Sequence, residues 1–211
     1  MSFDERVTAA QVSDSLDESG LRHQVLDAGI RPLAQGMRAV GPARTVQFAP
    51  TIKAGPDPYD DMIEFIDSIR PGEVIVISSG DFGRSAYWGE LFSAAAKGRG
   101  ASGVVCDSFA RDRAKVLDLD FPVFCRGTRP IDYRARMRVV ATQTPVLCGG
   151  VVISPGDVVV AEDDGIVSVP ADLREKVSAL ANARAAKEND VLTDLLAGAS
   201  LREVWDRYGV L

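Results

Sequence analysis

Glu90, Arg111 and Asp112 are the residues whose types and spacing could carry chemistry in this chain. Glu90 lies in the run Trp88-Gly89-Glu90-Leu91-Phe92, and Arg111-Asp112 follows it after twenty intervening residues. A pair of carboxylates can hold a hard divalent cation. A guanidinium grips a planar oxyanion, and the free N–H groups of a helix N-terminus accept another anionic oxygen. Brought to one spot, these groups would form a metal-assisted site for a small oxyacid.

Two elements must position them. Val74-Ile75-Val76-Ile77-Ser78 and Gly103-Val104-Val105-Cys106 read as buried strands, each running into a polar loop and then a helix. The Ala-rich stretch from Leu91 to Lys97 between them reads as a helix stopped by Gly98 and Gly100. Short turns between alternating strands and helices favour a βαβ arrangement. In such a unit the strands run parallel, and both loops open at the sheet edge where α/β proteins bind ligands.

The rest of the chain frames this unit. Thr8-Ala9-Ala10-Gln11 has the form of a capping box, with Gly20 as a helix stop. Residues 43–49 alternate as a half-buried strand. Asp57-Pro58 would open a helix whose apolar stripe is Met62, Ile63, Phe65, Ile66 and Ile69. A short helix follows Asp112 as far as Leu119, and residues 121–125 read as a strand. Residues 139–170 read as all β, with turns at Gly149-Gly150, Pro155-Gly156-Asp157 and Asp163-Asp164-Gly165. A helix is expected from about Asp172 to Leu196, and a last one from the capping box at Ser200. No linker divides residues 1–211, so a single α/β domain is expected.

Composition removes many functions. The net charge of −6 argues against a general nucleic-acid binder. Arg126, Arg129, Arg134, Arg136 and Arg138 form a local basic run, read as a solvated or subunit-facing strand. No apolar run approaches the ~20 residues of a membrane span. The polar, acidic opening residues lack a signal-like apolar core, so a cytoplasmic location is expected. His23 is the single histidine, which excludes an HExxH zinc site and leaves no choice of partners for a Ser-His-Asp triad. No lysine sits in an apolar strand where Schiff-base chemistry could be tuned. Cys106, Cys125 and Cys148 read as buried free thiols.

Each site residue also has a plainer reading. Asp112 could be a helix N-cap with a local salt bridge. Glu90 could simply favour a helix dipole. Asp81 and Asp107 could be loop caps, and Gly80-Asp81-Phe82-Gly83 lacks the GxxxxGK[ST] phosphate motif.

Taken together, Gly89-Glu90-Leu91 and Arg111-Asp112 resemble the acidic-x20-Arg-Asp signature of class II pyruvate aldolases. Those enzymes cleave 4-hydroxy-4-methyl-2-oxoglutarate and 4-carboxy-4-hydroxy-2-oxoadipate, and they group with the regulator of ribonuclease E activity A-like proteins. The likeness continues through Phe121-Pro122-Val123-Phe124, Arg126-Gly127-Thr128, Gly149-Gly150-Val151, Pro155-Gly156-Asp157, Asp163-Asp164-Gly165-Ile166 and Gly198-Ala199-Ser200-Leu201. It implies an α/β/β/α fold of the swivelling phosphohistidine-domain type, assembled as a homotrimer or a hexamer. It implies that Asp112 ligates Mg2+ or Mn2+ and that Glu90 holds the ion through water. The backbone N–H groups of Gly89, Leu91 and Phe92 would receive the carboxylate of a small 2-oxo acid, and Arg111 its keto oxygen. Glu188 is the candidate for a glutamate supplied by a neighbouring subunit. The implied activity is aldol cleavage to pyruvate, with oxaloacetate decarboxylation alongside. The alternative is a non-catalytic protein-binding regulator.

Glu90 stands where those aldolases tend to carry Asp. Cys106-Asp107-Ser108-Phe109 replaces their usual Asp-Gly turn, and Tyr87-Trp88 makes the first loop bulky.

Overall fold

A computed structural model of the chain describes residues 3–52, 58–80 and 85–210. The chain opens with α1 (Ala9–Glu18), β1 (Arg31–Pro32), β2 (Ala39–Pro50) and α2 (Asp60–Asp67). The unit carrying the motifs follows: β3 (Val74–Ser78), β4 (Ala86–Trp88), α3 (Glu90–Gly98), β5 (Gly103–Cys106), β6 (Phe109–Ala110) and α4 (Arg113–Asp118). Then come β7 (Val123–Cys125), β8 (Met137–Thr142), β9 (Val146–Cys148), β10 (Val151–Ile153), β11 (Val158–Glu162) and β12 (Gly165–Val169). A 3-10 turn leads into α5 (Arg174–Leu196), and α6 (Leu201–Tyr208) closes the chain.

The main sheet runs β1-β7-β5-β3-β2-β11-β12. The expected parallel pairing is present: Val74 lies opposite Gly103 and Ile77 opposite Cys106. Long β2 divides its far edge, pairing antiparallel with β11 over its first residues and with β8 over its last. That division lets the sheet curl, so β11 and β12 fold over to form a second layer.

Side-chain alternation sorts the core into layers. Ile75, Ile77, Val104 and Cys106 face α2, α3 and α4 together with Phe48, Phe65 and Trp88. Val74, Val76 and Val105 face the opposite way, onto Cys148, Ile153, Val159 and Ile166. Val158, Val160, Val167 and Val169 then face α1 and α5 through Val12, Leu16, Val177 and Ala181. Helices, sheet, sheet, helices is the α/β/β/α order expected. Burying each such branched side chain stabilises the fold by roughly 1.5–3 kcal/mol.

Helix ends follow the sequence closely. Thr8 and Ser200 both make full capping boxes, with Gln11 and Glu203 returning the bond. The expected cap at Asp57 lies outside the described residues, as does the loop at residues 81–84. The arginine alternation does not form a strand face. Arg134, Ala135 and Arg136 make a turn, with Ala135 at φ 59°, and of Arg134, Arg136 and Arg138 only Arg138 lies in β8. Arg136 Nη1 donates to the carbonyls of Asp132 and Arg134, which curls the side chain over its own turn. Among the described residues no helix is long and apolar enough to cross a membrane.

Candidate active site

Beyond the carboxyl ends of β3 and β5, the two loops pair again. β4 and β6 form a small parallel sheet, with Ala86 opposite Phe109 and Trp88 opposite Ala110. Bridges from Ala86 to Asp132 and from Ala110 to Thr128 widen it. The Arg111 N–H donates to the Trp88 carbonyl at 2.8 Å, which fixes the second turn against the first. The bulky pair expected in a loop is therefore strand: Tyr87 and Trp88 are buried in the core. Trp88 Nε1 donates to Ser93 Oγ at 2.7 Å, and that hydroxyl donates to the Gly89 carbonyl at 2.9 Å. These bonds set the angle at which α3 leaves the small sheet.

The site residues meet at one cavity of about 400 Å³. Gly89, Glu90, Leu91 and Phe92 line it from the start of α3, and Arg111 and Asp112 from the end of β6. Gly89 is the N-cap of α3, in extended backbone and with no side chain to cap the helix. The first N–H groups of α3 are thus left to a ligand. A Cβ at Gly89 would lie 2.8 Å from Asp112 Oδ2 and 3.0 Å from Arg111 Cγ, so any larger residue there would displace these two side chains.

Asp112 occupies the N-cap position of α4, as its plainer reading requires, but its side chain makes no capping bond. It sits in left-handed backbone, φ 58° and ψ 37°, and turns towards the other loop. Its Oδ2 is 3.6 Å from Arg111 Nε and 3.5 Å from the Glu90 N–H, both long for a committed bond. The Glu90 carboxylate is engaged by Lys115 Nζ at 2.9 Å. Asp107, the other loop carboxylate within the described residues, accepts from the Ser79 N–H at 2.8 Å in a buried position, which is a structural clamp.

Sequence reasoning missed the residue that holds Arg111. Asp132 Oδ2 accepts from Arg111 Nη1 at 3.0 Å and from the Tyr59 hydroxyl at 2.5 Å, while Oδ1 accepts from the Arg134 N–H. Burial pushes the Asp132 carboxyl up, but these bonds outweigh it and hold it below its ordinary value. Burial and the facing Asp132 carboxylate raise the Tyr59 hydroxyl. The aromatic wall was missed as well. Tyr59 meets both Phe92 and Tyr133 in T-shaped, edge-to-face contacts, and Tyr87 stacks on Tyr133 with ring centres 5.9 Å apart. The Tyr87 and Tyr133 hydroxyls are buried without a hydrogen-bond partner among the described residues. The three cysteines are buried and free, and burial raises the Cys106 thiol well above its ordinary value, so it is no nucleophile.

The cavity's charge suits a cation. Glu90, Asp112 and Asp132 against Arg111 and the Lys115 that pairs with Glu90 leave a formal −1, an excess of negative charge that favours a cation. Among the described residues no cluster of three or more His, Cys, Asp or Glu could cage a metal. One lightly engaged carboxylate with a second nearby fits a hydrated Mg2+ or Mn2+, which keeps most of its waters. Glu188 lies on α5, receives a bond from Gln11 and does not line this cavity in its own chain.

Known proteins resemble the chain along most of its length. The family model for RraA-like proteins, described as Aldolase/RraA, matches residues 9–168. A Halalkalibacterium halodurans protein named "Putative 4-hydroxy-4-methyl-2-oxoglutarate aldolase" is 37% identical over 167 residues, 79% of this chain and 74% of that protein. Protein DlpA of Legionella pneumophila is 30% identical over 200 residues, which is 95% of this chain but only 32% of DlpA. Streptomyces coelicolor RraAS2, described as an unusual member of the RNase ES inhibitor RraA protein family, superposes with a TM-score of 0.82 at 31% identity, covering 90% of this chain and 94% of that one. The fold, the paired turns and these likenesses agree that the chain belongs to the RraA-like, Aldolase/RraA family.

Proposed function

We propose that the chain is a divalent-metal-dependent lyase that releases pyruvate from a 4-hydroxy-2-oxo acid. The observation that carries this reading is the meeting of Arg111, Asp112, Glu90 and the uncapped start of α3 at one cavity with an excess of negative charge. Asp112 would hold Mg2+ or Mn2+ directly and Glu90 through water. The bound ion would supply Lewis-acid polarisation of the 2-oxo group.

The chain's own groups do the rest. The N–H groups of Gly89, Leu91 and Phe92 receive the substrate's carboxylate at the helix N-terminus. Arg111, fixed by Asp132, donates to the 2-keto oxygen, where negative charge builds. Water beside Asp112 takes the proton of the 4-hydroxyl. The C3–C4 bond then breaks, and its electron pair passes through C2 to the keto oxygen as the pyruvate enolate. Protonation at C3 completes pyruvate, and the 4-hydroxyl carbon leaves as a carbonyl compound. Oxaloacetate, losing CO2, reaches the same enolate and is expected as a second substrate. Glu188 of an adjacent subunit in a homotrimer or hexamer would complete the site.

With Mg2+ or Mn2+ present, the purified protein should release pyruvate, read by coupling to lactate dehydrogenase, and a chelator should stop it. Removing one donor to a developing oxyanion typically costs roughly 3 kcal/mol, so Arg111→Lys should lose about 100-fold in kcat. Asp112→Ala at wild-type rate would remove the metal reading. A folded protein inactive on every 2-oxo acid would favour a protein-binding regulator, the reading that the likeness to the Streptomyces protein supports.

A further inference from the structure

We propose that the cavity selects a substrate with no charge beyond its 2-oxo acid head: a 4-hydroxy-2-oxo acid whose C4 substituent is an uncharged alkyl or aryl group. This rests on the lyase reading and extends it to the far end of the substrate. The cavity has two unlike ends. The polar end is the start of α3 with Arg111 and Asp112, which the lyase reading assigns to a carboxylate and a keto oxygen. The rest of the lining is mostly apolar or aromatic, with Tyr59, Ile63, Leu91, Phe92 and Tyr133 prominent, and Asp132 is the charged group within it.

Among the described lining residues Arg111 is the only cation. Its Nη1 already donates to Asp132. Arg113 and Arg129 line a second groove that shares Arg111 and Asp112 with the cavity but none of its aromatic residues. Arg113 donates there to the Leu33 carbonyl, and Arg129 lies over the Phe109 ring. A second carboxylate on the substrate's tail would therefore lose water against aromatic rings and face Asp132, and no described lining residue beyond Arg111 offers it a positive partner. The Tyr59 hydroxyl cannot serve it, because that hydroxyl donates to Asp132. An aryl or alkyl group, by contrast, meets ring edges and faces. It would also cover Ile63 and Leu91, two large apolar side chains left 50% and 79% exposed.

The test compares kcat/KM for pyruvate release from three compounds. 4-Hydroxy-2-oxopentanoate and 4-hydroxy-4-phenyl-2-oxobutanoate carry neutral tails, and 4-hydroxy-4-methyl-2-oxoglutarate carries a second carboxylate. The neutral tails should be favoured about tenfold or more, the scale on which an apolar pocket discriminates. Ile63→Lys places a cation at an exposed position of the wall and should cut that preference about tenfold in favour of the dicarboxylate, with thermal unfolding unchanged. Equal or better cleavage of the dicarboxylate by the wild type, or an unmoved ratio in Ile63→Lys, overturns the proposal. Deuterium exchange into the methyl group of pyruvate, which needs no tail, separates the two levels. Exchange together with a preference for the dicarboxylate sinks the tail assignment alone. Absence of exchange and of all cleavage sinks the lyase reading with it.

Discussion

The two turns that meet at the cavity share a plan and differ in what they present. Each leaves a fully buried parallel strand, passes through a short strand of the small sheet and enters a helix. The first turn ends at Gly89 in relaxed extended backbone and offers main-chain N–H groups. The second ends at Asp112 in left-handed backbone, a conformation that typically costs a non-glycine residue about 1 kcal/mol or more. Its carboxylate leaves α4 uncapped and crosses to the other turn. One turn contributes a helix dipole at no conformational cost, and the other contributes charge held under strain. Strain of this kind persists where surrounding structure over-determines it, and it clusters at functional sites.

The comparison breaks most sharply at Asp112. Asp112→Gly removes the carboxylate and relieves the backbone together. Activity should fall by at least about 100-fold, the usual scale for losing one electrostatic stabiliser. Stability in urea should hold or rise by up to about 1 kcal/mol. Asp112→Asn, which tolerates the same backbone, should lose the activity without the gain. A destabilised Asp112→Gly would mean that the left-handed turn carries no strain and that the contrast between the turns is false.

Gly89→Ala tests the first turn. Its φ of −167° suits any residue, so the substitution costs nothing in backbone terms. The cost is the contact of the new methyl with Asp112 Oδ2 and Arg111 Cγ. Overpacking of this kind typically costs about 1–3 kcal/mol. Here the atoms that must yield are the site's own, so kcat/KM should drop about tenfold or more, as small displacements of positioned groups do. Full activity in Gly89→Ala would show that the turns need not approach so closely.

Not all of this was legible in the sequence. The strands at 74–78 and 103–106 are unbroken apolar runs, and only a strand buried on both faces explains them, so their parallel pairing could be read directly. β4 and β6 could not. Three residues and two residues carry no period, and they become strands only because the larger sheet brings the two loops together. Asp132 was hidden for a related reason. It lies beside arginines whose alternation imitates a strand face, whereas Arg134 to Arg136 turn through a positive φ at Ala135 that no sequence signal announces. Its place in the site comes from a single bridge to Ala86, a contact between distant parts of the chain. Residues 90, 111 and 112 were legible because together they resemble a family signature; their supports were not, because tyrosine, isoleucine and phenylalanine at such positions look like any core.

Asp132 sharpens the contrast from a third side, since it holds Arg111 in place without belonging to either turn. Asp132→Asn should raise KM about tenfold while lowering kcat less, because the guanidinium remains but loses its orientation. The pH dependence has a fixed sign. The folded carboxyl ionises below its ordinary value of 3.8 despite burial, since the bonds from Tyr59, Arg134 and Arg111 favour the charged form. Its stabilisation is therefore complete above pH 3.8 and is lost as pH falls through the lower folded value. The stability gap between wild type and Asp132→Asn should be constant near neutrality and close only in acid below pH 3.8, as urea unfolding at a series of pH values would show. A gap that closed near neutrality would mean that Asp132 is not ionised by these partners.

The smallest effect belongs to the wall between the turns. Tyr59 and Tyr133 touch edge to face, yet their hydroxyls differ: Tyr59 donates to Asp132 at 2.5 Å, and Tyr133 has no partner among the described residues. A hydrogen bond to a charged group contributes about 1.5–3 kcal/mol, so Tyr59→Phe should destabilise the fold on that scale and loosen Arg111. Tyr133→Phe removes a hydroxyl that burial desolvates without compensation. It should leave stability unchanged or raise it by up to about 1 kcal/mol, and it should leave kcat/KM intact, because the ring and not the oxygen forms the wall. A Tyr133→Phe protein that lost more than about 1 kcal/mol would show that this oxygen does bond, through a water or a neighbouring subunit, and the wall would then be polar where an uncharged tail requires it to be apolar.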